Sequence, residues 1–231
     1  MATAKKIEIR SDRPRKIVAT FLVTGVEEPL LQHNWRKTMT RGSKDPAPKD
    51  YGSKADQAEA VTYRLSDRPF PGQKSDQLYM LPTAFRGSML NSKGGAKGIK
   101  IGKNAAANQI ASGCNFRVDK FCPLFDPKTK KPIRTYAINE DRVRIQKNYI
   151  LCYRPEIWPW ACTFRVQIDE RWITLEQFLR LFQRSGVVAG AGDNRPQSGT
   201  FYGKYEVEIE AIEVLEVFGE QDAIAEEEAE E

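Results

Sequence analysis

The chain has one histidine, no Cys-x-x-Cys pair, no apolar run long enough to cross a bilayer, and no lysine or arginine after Lys204. Each absence excludes something. A lone His33 leaves no choice of base for a serine or cysteine triad, and no nucleophile elbow is present. Cys114, Cys122, Cys152 and Cys162 lack zinc-site spacing, and Cys152 and Cys162 fall in expected strands. Buried free thiols are therefore expected rather than zinc ligands or disulfides, with no metal and no cofactor. The start, Met-Ala-Thr-Ala-Lys-Lys, has no apolar signal core, so a cytoplasmic protein without a membrane partner is expected.

Charge is what the chain has, and it is unevenly placed. Of the 31 acidic residues, 12 lie between Glu206 and Glu231. Residues 1–205 hold all 36 basic residues and 19 acidic ones, a net of +17. A body this basic suits a polyanion, of which nucleic acid is the commonest. The acidic tail, residues 219–231, reads as disordered, able to dock a protein partner or to compete for the basic surface.

The pattern predicts a single domain over residues 1–218. Lys16–Gly25 reads as a central β-branched strand ended by glycine. Residues 36–57 are basic and nearly devoid of apolar side chains, an extended or disordered insertion that carries Arg36, Lys37, Arg41 and Lys44. Tyr79–Leu81 is a short strand, and Pro82 opens a helix that ends before Gly94. Lys97, Lys100 and Lys103 lie in a glycine-rich basic patch over residues 93–103, followed by a short helix at 104–112. Residues 113–140 read as an irregular or hairpin insertion. Strands are expected at 143–153 and 161–169, separated by a turn at 154–160. Thr174 caps a helix with Leu175, Phe178, Leu179 and Phe182 at helical spacing. Residues 202–218 form a closing strand. Without the insertions, the order is that of an α+β fold, a ferredoxin-like or RNA-recognition-motif-type split βαβ core with helices on one sheet face.

The segment between the last helix and the last strand is rich in glycine: Gly186, Gly190, Gly192, Gly199 and Gly203, with Asp193, Arg195 and Lys204 between them. Such a loop presents amides and cations to phosphates, although its spacing matches neither a Walker loop nor a dinucleotide fingerprint. It equally suits a long surface loop.

Leu81-Pro-Thr-Ala-Phe-Arg-Gly-Ser-Met-Leu90 resembles the helix start of the RAMP superfamily, which includes backbone subunits of CRISPR effector complexes. Gly190–Tyr205 resembles that superfamily's late G-rich loop, and residues 153–205 also resemble uncharacterised phage and prophage proteins. Two departures stand out: Phe85 replaces a small polar residue, and Gly-Asp-Asn-Arg-Pro is not the usual loop. The resemblance implies non-enzymatic binding of single-stranded RNA through the open sheet face and the G-rich loop (Gly190, Gly192, Gly199, Gly203), with subunits associating along the strand. It makes Arg86, Arg195 and Lys204 the leading phosphate contacts, and it offers residues 36–57 or 113–140 as a thumb-like extension.

Three other functions fit the same residues: a phage single-stranded DNA-binding protein, an endoribonuclease of this fold, and a phage structural or assembly protein. His33 is the one weak catalytic candidate, at a strand end beside the basic insertion. Asp45, Asp50 and Asp56 lie in that insertion without metal-site spacing, and Asp193 is expected to pair with Arg195 or cap a turn. Trp35, Tyr51 and Tyr63 are candidate base-stacking groups. Trp158 and Trp160, between prolines, are expected to pack.

Overall fold

The computed structural model describes residues 13–32, 52–67, 76–91, 93–145 and 148–218. The chain is α+β with mostly antiparallel sheets. Its main sheet is built on β1 (Arg15–Gly25) and β10 (Ala161–Asp169), which pair from Lys16↔Asp169 to Thr24↔Ala161. Outside β1 lies β11 (Tyr205–Val217), whose pairing shifts register twice. Outside β10 lie β7 (Cys122–Phe125) and then β3 (Tyr79–Met80). The described strand order is therefore β11-β1-β10-β7-β3, with β6 (Cys114–Asn115) sharing the β10 edge.

Two helices are threaded between these strands. The helix α2 (Pro82–Leu90) follows β3, with Pro82 in the first turn where no amide partner is needed. The helix α4 (Leu175–Val188) follows β10, and Thr174 caps it: its hydroxyl accepts from Gln177 N while the Gln177 side chain returns to the Thr174 amide. Both helices press on one sheet face. Ile17, Ala19, Phe21 and Val23 of β1 and Phe164 of β10 are buried there. Phe21 meets Phe178 at 5.4 Å between centroids, and Phe85 stacks on Phe164 at 4.9 Å. Such aromatic pairs add about 0.5–1.5 kcal/mol each beyond area burial. A short hairpin, β4 (Lys100–Ile101) and β5 (Asn104–Ala105), leads into α3 (Ala106–Gly113).

A second sheet of three strands joins β2 (Leu30–Leu31), β9 (Asn148–Ile157) and β8 (Ala137–Ile145). The helix α1 (Lys54–Glu59) packs against it and is closed by a Ser53–Asp56 capping box.

Three expectations are corrected. The segment 143–153 belongs to two paired strands, the end of β8 and the start of β9, rather than to one, and β9 runs on through Pro155 to Ile157 where a turn was expected. Residues 113–140 are not a mere insertion, because β6 and β7 complete the main sheet. Between them, Asp119 takes the place of a strand partner and accepts the Arg165 amide at 2.7 Å. Residues 54–59 of the expected extended insertion are helical.

Candidate nucleic-acid interface

One end of the main sheet collects most of the loops. There β1 finishes at Gly25, opposite Tyr205, and Thr24 faces Ala161, which in turn faces Phe125. The helix α4 delivers the glycine-rich loop to this end. The helix α2 delivers residues 93–99: Gly95 and Ala96 donate to Ser88 and Met89 carbonyls, and Arg184 of α4 donates to the Gly95 carbonyl at 2.9 Å. The buried Ser88 and Tyr205 hydroxyls hydrogen-bond at 2.5 Å and tie α2 to the first residue of β11.

The glycine-rich loop is folded tightly. Gly190, Gly192, Gly199 and Gly203 all lie at positive φ, between 64° and 86°. At Gly203 any Cβ would also overlap the Ala191 carbonyl, and the loop's two limbs are joined by the Ala191 amide donating to the Gly203 carbonyl at 2.8 Å. The loop then docks on β2, with Asp193 N donating to Leu31 O and Gly203 N to Pro29 O, both at 2.8 Å.

Its anchor is Arg154, 1 % exposed, on β9. Arg154 donates to Asp193 Oδ2 at 2.8 Å and to Asp141 Oδ2 at 3.1 Å, and Asn194 donates to the same Asp141 oxygen at 2.5 Å. The expected Asp193–Arg195 pair is thus replaced by Asp193–Arg154. Sequence reading missed Arg154 because Arg-Pro suggested a turn. The one available signal was a strand-like run extending past it.

Releasing Asp193 to Arg154 leaves Arg195 distinctive. Its guanidinium is half-buried, and among the described residues no hydrogen bond or ion pair engages it. Burial lowers its pKa, while the nearby Asp193 charge opposes that shift. A cation held part-way out of water without a direct ion pair gains from an arriving anion. Lys97, Lys100 and Lys103 are exposed on the neighbouring 93–105 segment. From Gln77 to Val118 the chain has six basic residues and no acidic one.

Not every candidate joins this group. Lys204 pairs with Glu27 at 2.7 Å, so its charge is already met. Arg86 is exposed on α2 but close to Cys114, whose strand partner Ile168 lies near the far end of β10. His33, Arg36, Lys37, Arg41 and Lys44, like Trp35, Asp45, Asp50, Tyr51 and the tail 219–231, lie outside the described residues. That basic segment leaves from Gln32 and returns at Gly52. Gln32 is fixed by donating to Tyr79 O at 3.0 Å and accepting from Tyr63 N at 2.8 Å.

Among the other candidates, Asp56 caps α1, accepting from the Ser53 amide and hydroxyl, and Ser53 holds its pKa below the usual range. Tyr63 stacks on Tyr79 at 5.6 Å. Trp160 is fully buried, as expected, whereas Trp158 is 49 % exposed. Cys122, Cys152 and Cys162 are buried free thiols, Cys114 is half-buried, and among the described residues no cluster suited to a metal ion occurs.

The bare face of the sheet differs from what the resemblance implies. By register, Glu206, Glu208, Glu213 and Glu216 lie beside Thr24, Leu22, Val18 and Lys16, opposite the face covered by helices. Glu210 joins them by accepting from Thr163 at 3.4 Å. Two of the cations there are engaged: Arg165 with Asp119 at 2.7 Å and Arg171 with Asp169 at 2.6 Å. A polyanion is repelled by such a surface. No helix among the described residues is long and apolar enough to cross a membrane. No protein-family model matches the chain, and no curated protein matches it.

Proposed function

We propose that the chain is a non-enzymatic binder of single-stranded nucleic acid, RNA above DNA, with a RAMP-type, ferredoxin-like core. The strand order β11-β1-β10-β7, with α2 and α4 as the crossovers, supports the split βαβ assignment. The binding surface is the loop end of the sheet rather than its bare face. Arg195 is the observation that carries this reading: a half-buried, unpartnered guanidinium on a loop fixed by Arg154. Lys97, Lys100 and Lys103 extend the positive surface along which a phosphate backbone runs.

The test is binding of labelled single-stranded RNA and DNA of several sequences across a salt series. Arg195→Ala is expected to weaken every sequence alike. Loss of preference for one sequence alone would indicate base reading by Arg195 instead. A wild-type protein that purifies free of nucleic acid and ignores oligonucleotides at low salt would overturn the proposal and favour an assembly role.

A further inference from the structure

Beside the loop end lies a cavity of about 400 Å³ between the segment Asp126–Ala137 and residues Glu156–Pro159, where β9 ends. Its size falls within the ~300–1,000 Å³ of small-molecule sites. We propose that it holds one unstacked nucleotide, the base against the Trp158 indole and the phosphate at Lys131 and Arg134. The ligand class rests on the function proposed above; the site does not, because none of its residues belongs to the glycine-rich loop or the 93–103 patch.

The lining carries the three chemistries a nucleotide needs. Trp158 is half-exposed on a turn whose other tryptophan, Trp160, is fully buried, so one indole anchors the turn and the other is presented to the cavity. An exposed indole offers a π face to any base. Lys131 and Arg134 are exposed, and among the described residues their side chains have no hydrogen bond or ion pair. Asp126, the acid on the same wall segment, is committed: its carboxylate accepts from the Lys128 and Thr129 amides, both at 2.8 Å, which hold its pKa low. The two cations therefore remain available for a phosphate.

Glu156 supplies an acceptor. One of its carboxylate oxygens takes the Asn139 amide at 3.0 Å, and the other has no partner among the described residues. A base edge with an N–H donor satisfies that oxygen, while the carboxylate turns the phosphate toward the lysine and arginine.

The walls are already rigid. Leu78 N donates to Ile133 O at 2.8 Å, Ile133 N to Leu124 O at 3.0 Å, and Arg64 to Arg134 O at 2.8 Å. Behind them Tyr136 donates to Glu59 at 2.6 Å. Binding thus requires little ordering of the protein, which favours affinity for so small a ligand.

The nucleotide can come from a bound strand or from free solution, and one experiment on the full chain separates these sources. Wild type, Trp158→Ala, Lys131→Glu and Arg195→Ala are titrated with AMP, UMP, ribose 5-phosphate and a labelled single-stranded oligonucleotide. Tryptophan emission and calorimetry are the readouts, and circular dichroism checks the fold. AMP and UMP are expected to quench wild-type emission and to bind Trp158→Ala about ten-fold more weakly. Ribose 5-phosphate, which has no base, should not quench. Lys131→Glu should weaken both mononucleotides, and Arg195→Ala neither. Strand affinity lost in Trp158→Ala without mononucleotide binding would assign the site to a strand-borne nucleotide. Mononucleotide binding without strand binding would retain the site and overturn the strand-binding proposal. Folded Trp158→Ala and Lys131→Glu variants that match wild type for every ligand would overturn the nucleotide site and leave the proposal on Arg195 standing.

Discussion

The two faces of β11 make a sharp comparison within one strand. Tyr205, Val207 and Ile209 lie toward α2 and α4, and the ground beyond them leads to Arg195 and the lysines of residues 93–103. The opposite face carries Glu206, Glu208, Glu213 and Glu216. A strand that alternates by two residues, with two register shifts that bring Glu213 and Glu216 to the same side as Glu206 and Glu208, separates an apolar, cation-flanked side from an anionic side. A sheet left bare on one face is therefore not by that fact a nucleic-acid platform; the charge on it decides.

The largest expected effect breaks the anchor of the cationic side. Arg154→Ala leaves Asp141 and Asp193 facing each other without their shared cation. Because those side chains are 36 % and 27 % exposed and can rehydrate, the cost is about 3 kcal/mol, at the low end for a broken buried pair. Urea unfolding should show it as a lower midpoint with an unchanged slope.

Gly186→Ala tests how closely α4 sits on β11. An added Cβ would collide with the Tyr205 carbonyl, a backbone atom that cannot swing aside. Overpacking of about 2–3 kcal/mol should outweigh the gain of up to ~1 kcal/mol from helix propensity. A variant with a melting temperature at or above wild type would show that the helix is seated less tightly.

Charge substitutions sharpen the comparison directly. Removing Lys97, Lys100 and Lys103 together should reduce the slope of log affinity against log salt by about 2, since each phosphate contact on a single strand contributes roughly 0.7. Changing Glu206, Glu208 and Glu213 to glutamine should leave that slope unchanged. Equal responses from the two sets would dissolve the distinction between the faces.

The smallest effect is in the pH profile, whose two limbs report the two sides. Asp169, on the bare side, is held below the usual carboxylate range chiefly by its hydrogen bond with Arg171. Its stabilisation is complete above the unfolded pKa of about 4 and drains as pH falls through the lower folded value. Cys114, on the helix side, is pushed by burial from 9.0 to about 12. Its contribution is complete below pH 9 and is lost as pH rises toward 12. Melting temperatures should hold a plateau between these limits; a fall beginning near neutral pH would point to other groups.

Much of this framework was legible. A β-branched run marked β1, residues 161–169 were expected as the strand that is β10, Pro82 marked the start of α2, and Thr174 with Gln177 marked that of α4. Legibility failed where local signals were weak. The polar Lys54–Glu59 segment has no apolar stripe, and its Ser53–Asp56 capping box went unread. The hairpin β8–β9 has neither glycine nor proline at residues 146–147, so two arms read as one strand. The Arg154–Asp193 pair spans 39 residues of sequence, and a contact that distant is not encoded in spacing. The charge of the bare face was visible as composition, but its placement required the register of β11 against β1.

Among the described residues β11 is also the outermost strand of its sheet, with Val214 and Leu215 about half exposed. A long edge with apolar side chains invites another chain to add itself as the next strand. Here two such edges brought together would set one row of glutamates against another. The same alternation that keeps polyanions off this face thus acts as a guard against aggregation, strongest in dilute salt and weakening as ions screen it.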